Sequence, residues 1–126
     1  MKNIDVNELS NIVIGLAIKV HKKLGPGLLE NVYKECLIYE IRKAGYIAEK
    51  EKPVPLIYEE IKFEIGYRLD ILVENMLVVE TKSVELVKSV YCAQTLTYLK
   101  LGEFKLGLLI NFNVKMLKDG ITRLIN

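Results

Sequence analysis

Asp70 and the run Glu80-Thr81-Lys82 are the residues of this chain whose types and spacing are best suited to chemistry. Two carboxylates and an amine on neighbouring apolar strands can hold a divalent cation against a phosphodiester. Tyr67 to Val73 reads as one strand, Glu74-Asn75 as a tight turn, and Met76 to Lys82 as the returning strand of a hairpin. Strand side chains alternate, so Glu80 and Lys82 share a face, and antiparallel pairing brings Asp70 within reach of Glu80. Like-charged carboxylates among Val and Ile side chains repel one another and lose hydration. A hard cation such as Mg²⁺ or Mn²⁺ removes that conflict, with Asp70, Glu80 and the Thr81 main-chain carbonyl as protein ligands and water or phosphate in the remaining positions. Lys82 would orient or deprotonate an attacking water, or stabilise charge on the transition state. The same spacing also fits three exposed hairpin charges with no common task.

The elements that must position these residues are legible in outline. Leu9, Ile12, Val13, Leu16, Ala17, Val20 and Leu24 recur at helical spacing after a cap at Asp5 or Asn7, and the last turn is basic, as the helix dipole favours. Gly25-Pro26-Gly27 joins this helix to a second, from Leu28 to about Ala44, whose apolar residues are crowded enough to predict burial on more than one side, and Gly45 ends it. Glu30 lies in its first turn, where the dipole alone accounts for an acid. If that helix start faces the hairpin, Glu30 becomes a third acid for the metal. From Tyr46 to Lys62, Pro53 and Pro55 limit pairing, which predicts an edge strand with irregular stretches, and Ile57 to Ile65 leads on into the hairpin. A helix from about Glu85 to Leu101 places Tyr91, Gln94 and Tyr98 on one face, either as an amphipathic edge or as a polar-aromatic platform for phosphate or a base. Phe104 to Phe112 reads as a central apolar strand and Ile121 to Ile125 as a terminal one.

Composition bounds the rest. With 126 residues and 51% apolar content, residues 1–126 are expected to form a single domain with a core that needs no staples. No apolar run is long enough to span a bilayer and no signal-peptide pattern is present, so the expectation is a cytoplasmic protein away from membranes. Cys36 and Cys92 lack metal-ligand spacing and read as buried reduced thiols. A net charge of +2, from 18 basic and 16 acidic residues, is too balanced to announce nucleic-acid binding in bulk. Local patches remain: Lys19, Lys22 and Lys23 with His21, and Lys100, Lys105, Lys115, Lys118 and Arg123 toward the C-terminus. Scattered lysines of this kind ordinarily form a solvated face.

The order of parts, α-α-β-β-β-α-β-β with an acid, Glu-x-Lys and then Gln-x-x-x-Tyr, resembles the PD-(D/E)XK nuclease superfamily. Gly66 to Asp70, Glu80 to Lys82 and Gln94 to Tyr98 look like its RecB and lambda-exonuclease branch. Gly27-Leu28-Leu29-Glu30-Asn31-Val32-Tyr33 is similar to the signature that names the GxxExxY protein family, and that similarity covers nearly the whole chain. The resemblance implies an α/β (α+β) restriction-endonuclease-like core, a central mixed β-sheet flanked by helices. It implies that Asp70 and Glu80 hold Mg²⁺ or Mn²⁺, that Lys82 serves the attacking water, and that Glu30 assists metal or water. Gln94 and Tyr98, with Tyr91 on the same face, fall on the motif placed near the substrate. A histidine is common in the family where this chain has Tyr91, so no imidazole acts there. The implied activity is metal-dependent nuclease action on nucleic acid, DNA foremost, with a homodimer as a frequent arrangement of small nucleases of this architecture. The alternative is a non-catalytic nucleic-acid- or protein-binding module on the same fold.

Overall fold

Leu9, Val13, Ala17 and Val20 form the buried stripe of helix α1 (Val6–Leu24) in the computed structural model, which describes residues 3–126. Of the two caps that the sequence offers, Asp5 serves, its carboxylate accepting the Asn7 N–H at 3.1 Å. Gly25, at φ 74°, ends the helix in a conformation that costs glycine little. Helix α2 (Glu30–Lys43) starts two residues later than the apolar pattern predicts. It also buries one face only: Tyr33, Leu37, Ile38 and Ile41 go inward, while Leu29 and Tyr39 are 77% and 62% exposed. The expectation of burial on several sides fails because the sheet covers a single side of the helix.

Strand β1 (Ala48–Tyr58) carries Pro53 and Pro55 and lies at the edge of the sheet, as their missing donors require. A turn at Glu59, where φ is 52°, returns the chain into β2 (Ile61–Val73). The segment predicted as a separate extended lead from Ile57 to Ile65 is therefore split between two paired strands. Glu74 and Asn75, both left-handed, make the predicted tight turn into β3 (Leu77–Lys82). Helix α3 (Ser89–Gly102) then crosses over to β4 (Leu106–Asn111), which runs parallel to β3, and a short 3₁₀ turn at Leu117–Gly120 leads into β5 (Ile121–Ile125). The helix begins four residues after Glu85 because Asn111 holds the preceding segment extended: its Nδ2 donates to the Val84 carbonyl at 2.9 Å, and its Oδ1 accepts the Val84 N–H at 3.1 Å.

The sheet order is β1-β2-β3-β4-β5, antiparallel throughout except for the β3–β4 pair. This is the mixed α/β architecture expected from the element order. One core packs α1 and α2 against Ile71, Val73, Leu77, Val79, Leu108 and Ile110. The other packs α3 against Leu69, Leu72, Val78, Leu109 and Leu124. Every residue of β4 is buried, as befits a strand covered on both faces. Cys36 and Cys92 are free thiols as expected, but each is half-buried at the margin of a core rather than enclosed by it. Among the described residues no helix is long and apolar enough to cross a membrane.

Candidate active site

Backbone pairing between β2 and β3 runs from Val73–Leu77 to Ile71–Val79 and stops there. The next rung would set Asp70 opposite Glu80. Instead, the Asp70 N–H donates to Glu80 Oε2 at 2.8 Å, and the Thr81 N–H donates to Asp70 Oδ2 at 2.9 Å. Each acid thus takes over a ladder bond of the other's strand. The Thr81 hydroxyl adds a contact to the same Asp70 oxygen at 3.2 Å. On the other side of β2 the pairing with β1 also skips a rung, between Lys50–Ile71 and Lys52–Leu69, where Glu51 has a φ of 51°. Leu69 joins the core under α3 and Ile71 the core under α1 and α2, so the regular alternation of the strand breaks at Asp70.

The electrostatics follow from this placement. Glu80 is buried, and loss of hydration, then the charge of Asp70, pushes its pKa up to about 8. The Asp70 N–H bond and Lys82 oppose that rise, while Glu30 adds to it. Glu30, at the start of α2, is also raised, first by partial desolvation of its carboxyl, with Lys82 pulling down and Asp70 pushing up. The predicted third acid therefore does feel the hairpin charges. Among the described residues, however, no group of three His, Cys, Asp or Glu side chains is arranged to hold an ion by itself. Asp70 and Glu80 stand as a coupled pair of acids, with Glu30 near enough for its charge to be felt at Glu80.

Helix α3 closes the site. The Lys82 ammonium lies 4.7 Å from the centroid of the Tyr91 ring, a cation–π contact that holds the amine over an aromatic face. Gln94 lies one helical turn before Tyr98, whose hydroxyl pKa is raised by burial and then by the charge of Glu80, with Gln94 acting weakly in the opposite direction. Tyr67 packs its ring 5.1 Å from that of Tyr98. The predicted Tyr91, Gln94 and Tyr98 face thus turns toward the hairpin. Tyr67 and Asn111 are the site-building residues that pattern reading missed. Asn111 could have been found as a lone amide in the apolar run Leu108 to Phe112, opposite Lys82 on the parallel strand.

The start of α2 is fixed by a chain of polar contacts. Tyr33 accepts the Leu28 N–H at 3.0 Å and donates to the Gly25 carbonyl at 2.5 Å, and its ring stacks on Phe112 at 4.6 Å. Ser83 donates to the Leu28 carbonyl at 2.7 Å, tying the end of β3 to the residues that precede Glu30.

A family profile described as the PD-(D/E)XK nuclease superfamily matches residues 7–124. The chain belongs to that superfamily. Neither a curated protein nor a solved structure matches it. The mixed sheet with α3 crossing between parallel β3 and β4 is consistent with the restriction-endonuclease-like fold of PD-(D/E)XK nucleases, which generally use divalent metals. The donor set fits such an ion: the Asp70 charge and burial disfavour ionisation of Glu80, a conflict a cation would remove, and Asp70 Oδ1 and Glu80 Oε1 accept no hydrogen bond among the described residues.

Proposed function

We propose that this superfamily member is a divalent-metal-dependent nuclease that hydrolyses phosphodiester bonds in DNA, and that it belongs to the GxxExxY family within the RecB and lambda-exonuclease branch. The observation that carries the reading is that Glu80 accepts the Asp70 N–H while Asp70 accepts the Thr81 N–H, which leaves one oxygen of each acid unused beside a lysine. Asp70, Glu80 and the Thr81 carbonyl would hold Mg²⁺ or Mn²⁺, which when bound supplies Lewis-acid activation of water and neutralises charge on the phosphate. Lys82, braced on Tyr91, orients the attacking water and stabilises the negative charge that builds up on the phosphate through its ammonium. Glu30 offers a further oxygen to that water from the start of α2, and the Gln94–Tyr98 pair offers hydrogen-bond donors to the phosphate.

Incubating labelled single-stranded, duplex and branched DNA with the protein and Mn²⁺ tests the reading. Cleavage by the parent that is lost in Lys82→Ala is the expected result, and no cleavage of any substrate counts against it. The competing reading is a binding module with a spent site, favoured by the lack of a three-acid group among the described residues. Calorimetric titration separates the two, because a spent site takes up no Mn²⁺ in a manner that is lost on Asp70→Asn.

A further inference from the structure

The lysines near the end of α1 and those after β4 are far apart in sequence but share one hollow. The parallel pairing sets Lys82 opposite Asn111, and the Phe112 N–H donates to the Lys82 carbonyl at 2.9 Å, so the chain leaving β4 starts at the catalytic end of the sheet. There His21, in the last turn of α1, bonds the Val114 carbonyl through Nε2 at 2.8 Å. Beside that contact is a hollow of about 280 Å³ lined by Ile18, the buried Leu117 and the more exposed Met116, together with Lys22, Lys115 and Lys118. All three lysines are exposed, and none makes an ion pair among the described residues. By contrast, Lys19 on the same helix is neutralised by Glu40 at 3.0 Å. Asp119, the acid of the 113–120 segment, does not line the hollow.

We infer that this hollow binds the phosphate backbone of nucleic acid beyond the bond to be cut, a role that rests on the nuclease reading of the neighbouring site. An apolar floor supports the lysine stems while leaving the ammonium heads free, and three unpaired cations around one concavity complement a polyanion. The whole chain carries only +2, so bulk attraction is weak and a local concentration of charge must supply the grip. Position gives the patch its purpose. It flanks the catalytic end of β3 and β4 from the face covered by α1, whereas Lys82 and Tyr91 lie on the face covered by α3. A strand passing over the end of the sheet touches both.

The experiment is fluorescence anisotropy of end-labelled single-stranded and duplex oligonucleotides in EDTA over a salt series, so that binding is read without cleavage. The parent is compared with the Lys22→Gln, Lys115→Gln, Lys118→Gln triple variant. A second triple, Lys43→Gln, Lys100→Gln, Lys105→Gln, removes equal charge from exposed positions outside the hollow. The first triple is expected to weaken binding by roughly tenfold to a hundredfold and to lower the log–log salt slope by about 2 to 3, at about 0.7 to 0.9 per phosphate released. The second triple is expected to stay close to the parent. An equal fall in both variants, or a parent that binds neither oligonucleotide, overturns the inference. A parent that grips DNA through these lysines yet never cuts sinks the nuclease reading and leaves the patch standing. A parent that cuts, with a first triple that keeps full affinity and KM, does the reverse.

Discussion

Asp70 and Glu80 hold each other through main-chain bonds: the Asp70 N–H reaches Glu80 Oε2 at 2.8 Å, and Asp70 Oδ2 takes the N–H of Thr81, the residue after Glu80, at 2.9 Å. The acids of the proposed metal site are thus also structural substitutes for a missing rung of the sheet. The isosteric variants Asp70→Asn and Glu80→Gln keep an acceptor oxygen, so they should fold while losing Mn²⁺ uptake. Alanine at either position leaves a buried N–H unpaired and should cost about 1–3 kcal/mol. Urea unfolding beside calorimetric Mn²⁺ titration separates the two effects. An alanine variant as stable as the parent would refute the structural part.

Stability should depend on pH through Glu80. Its pKa is pushed up to about 8 in the folded protein, against an ordinary value of 4.5. Between those two values the unfolded chain gives up the proton and the folded chain keeps it, so stability falls as pH rises through the window and is greatest below it. The full effect is on the order of 5 kcal/mol. Thermal or urea melts in EDTA from about pH 4.5 to 8 should show this decline, and Glu80→Gln should flatten it. Adding Mn²⁺ favours the ionised acid and should stabilise more at the upper end of the range than at the lower.

Lys82 and Tyr91 can be told apart by kinetics. Lys82→Ala should lower the turnover of DNA by about 10² or more while leaving Mn²⁺ uptake intact. Tyr91→Leu removes only the ring under the ammonium and should cost about 0.5–1 kcal/mol, a few-fold in rate, whereas Tyr91→Phe keeps the ring and should be near neutral. A large loss in Tyr91→Phe would instead point to work done by the hydroxyl.

Gly120 is a test of the scaffold. A Cβ at that position would stand 2.1 Å from the Asn111 carbonyl oxygen, which is main chain and cannot swing away. Gly120→Ala should destabilise by about 1–3 kcal/mol. Because Asn111 also clamps Val84, the variant should speed amide exchange in the segment between Lys82 and α3. Unchanged exchange there would show that the clamp tolerates the shift.

Much of this was legible in residue types and spacing. Alternation along β3 puts Val78 against α3 and, two and four residues on, Glu80 and Lys82 on the same side, where Lys82 meets Tyr91. The α3 face of Tyr91, Gln94 and Tyr98 follows from helical spacing in the same way. What alternation could not supply is the break at Asp70, because it depends on a left-handed Glu51 in a neighbouring strand, a residue type that gives no warning of that geometry. The late start of α3 was hidden for a similar reason: its cause is Asn111, 27 positions from Val84. On α2, apolar residues such as Leu29 and Tyr39 look like core by composition but find no sheet beneath them. Local signals register what a segment prefers, whereas these three outcomes were decided by distant partners.

The prolines of β1 have one more effect. Ile57 and Tyr58 are 64% and 65% exposed at the tip of an outermost strand, a composition that invites another chain to add itself alongside. Pro53 and Pro55, two residues apart, offer no N–H to such a newcomer, and the register shift between Val54 and Leu56 bends the strand where they stand. An apolar fingertip beside the strand that carries Asp70 is thus paired with a built-in obstacle to edge-to-edge growth.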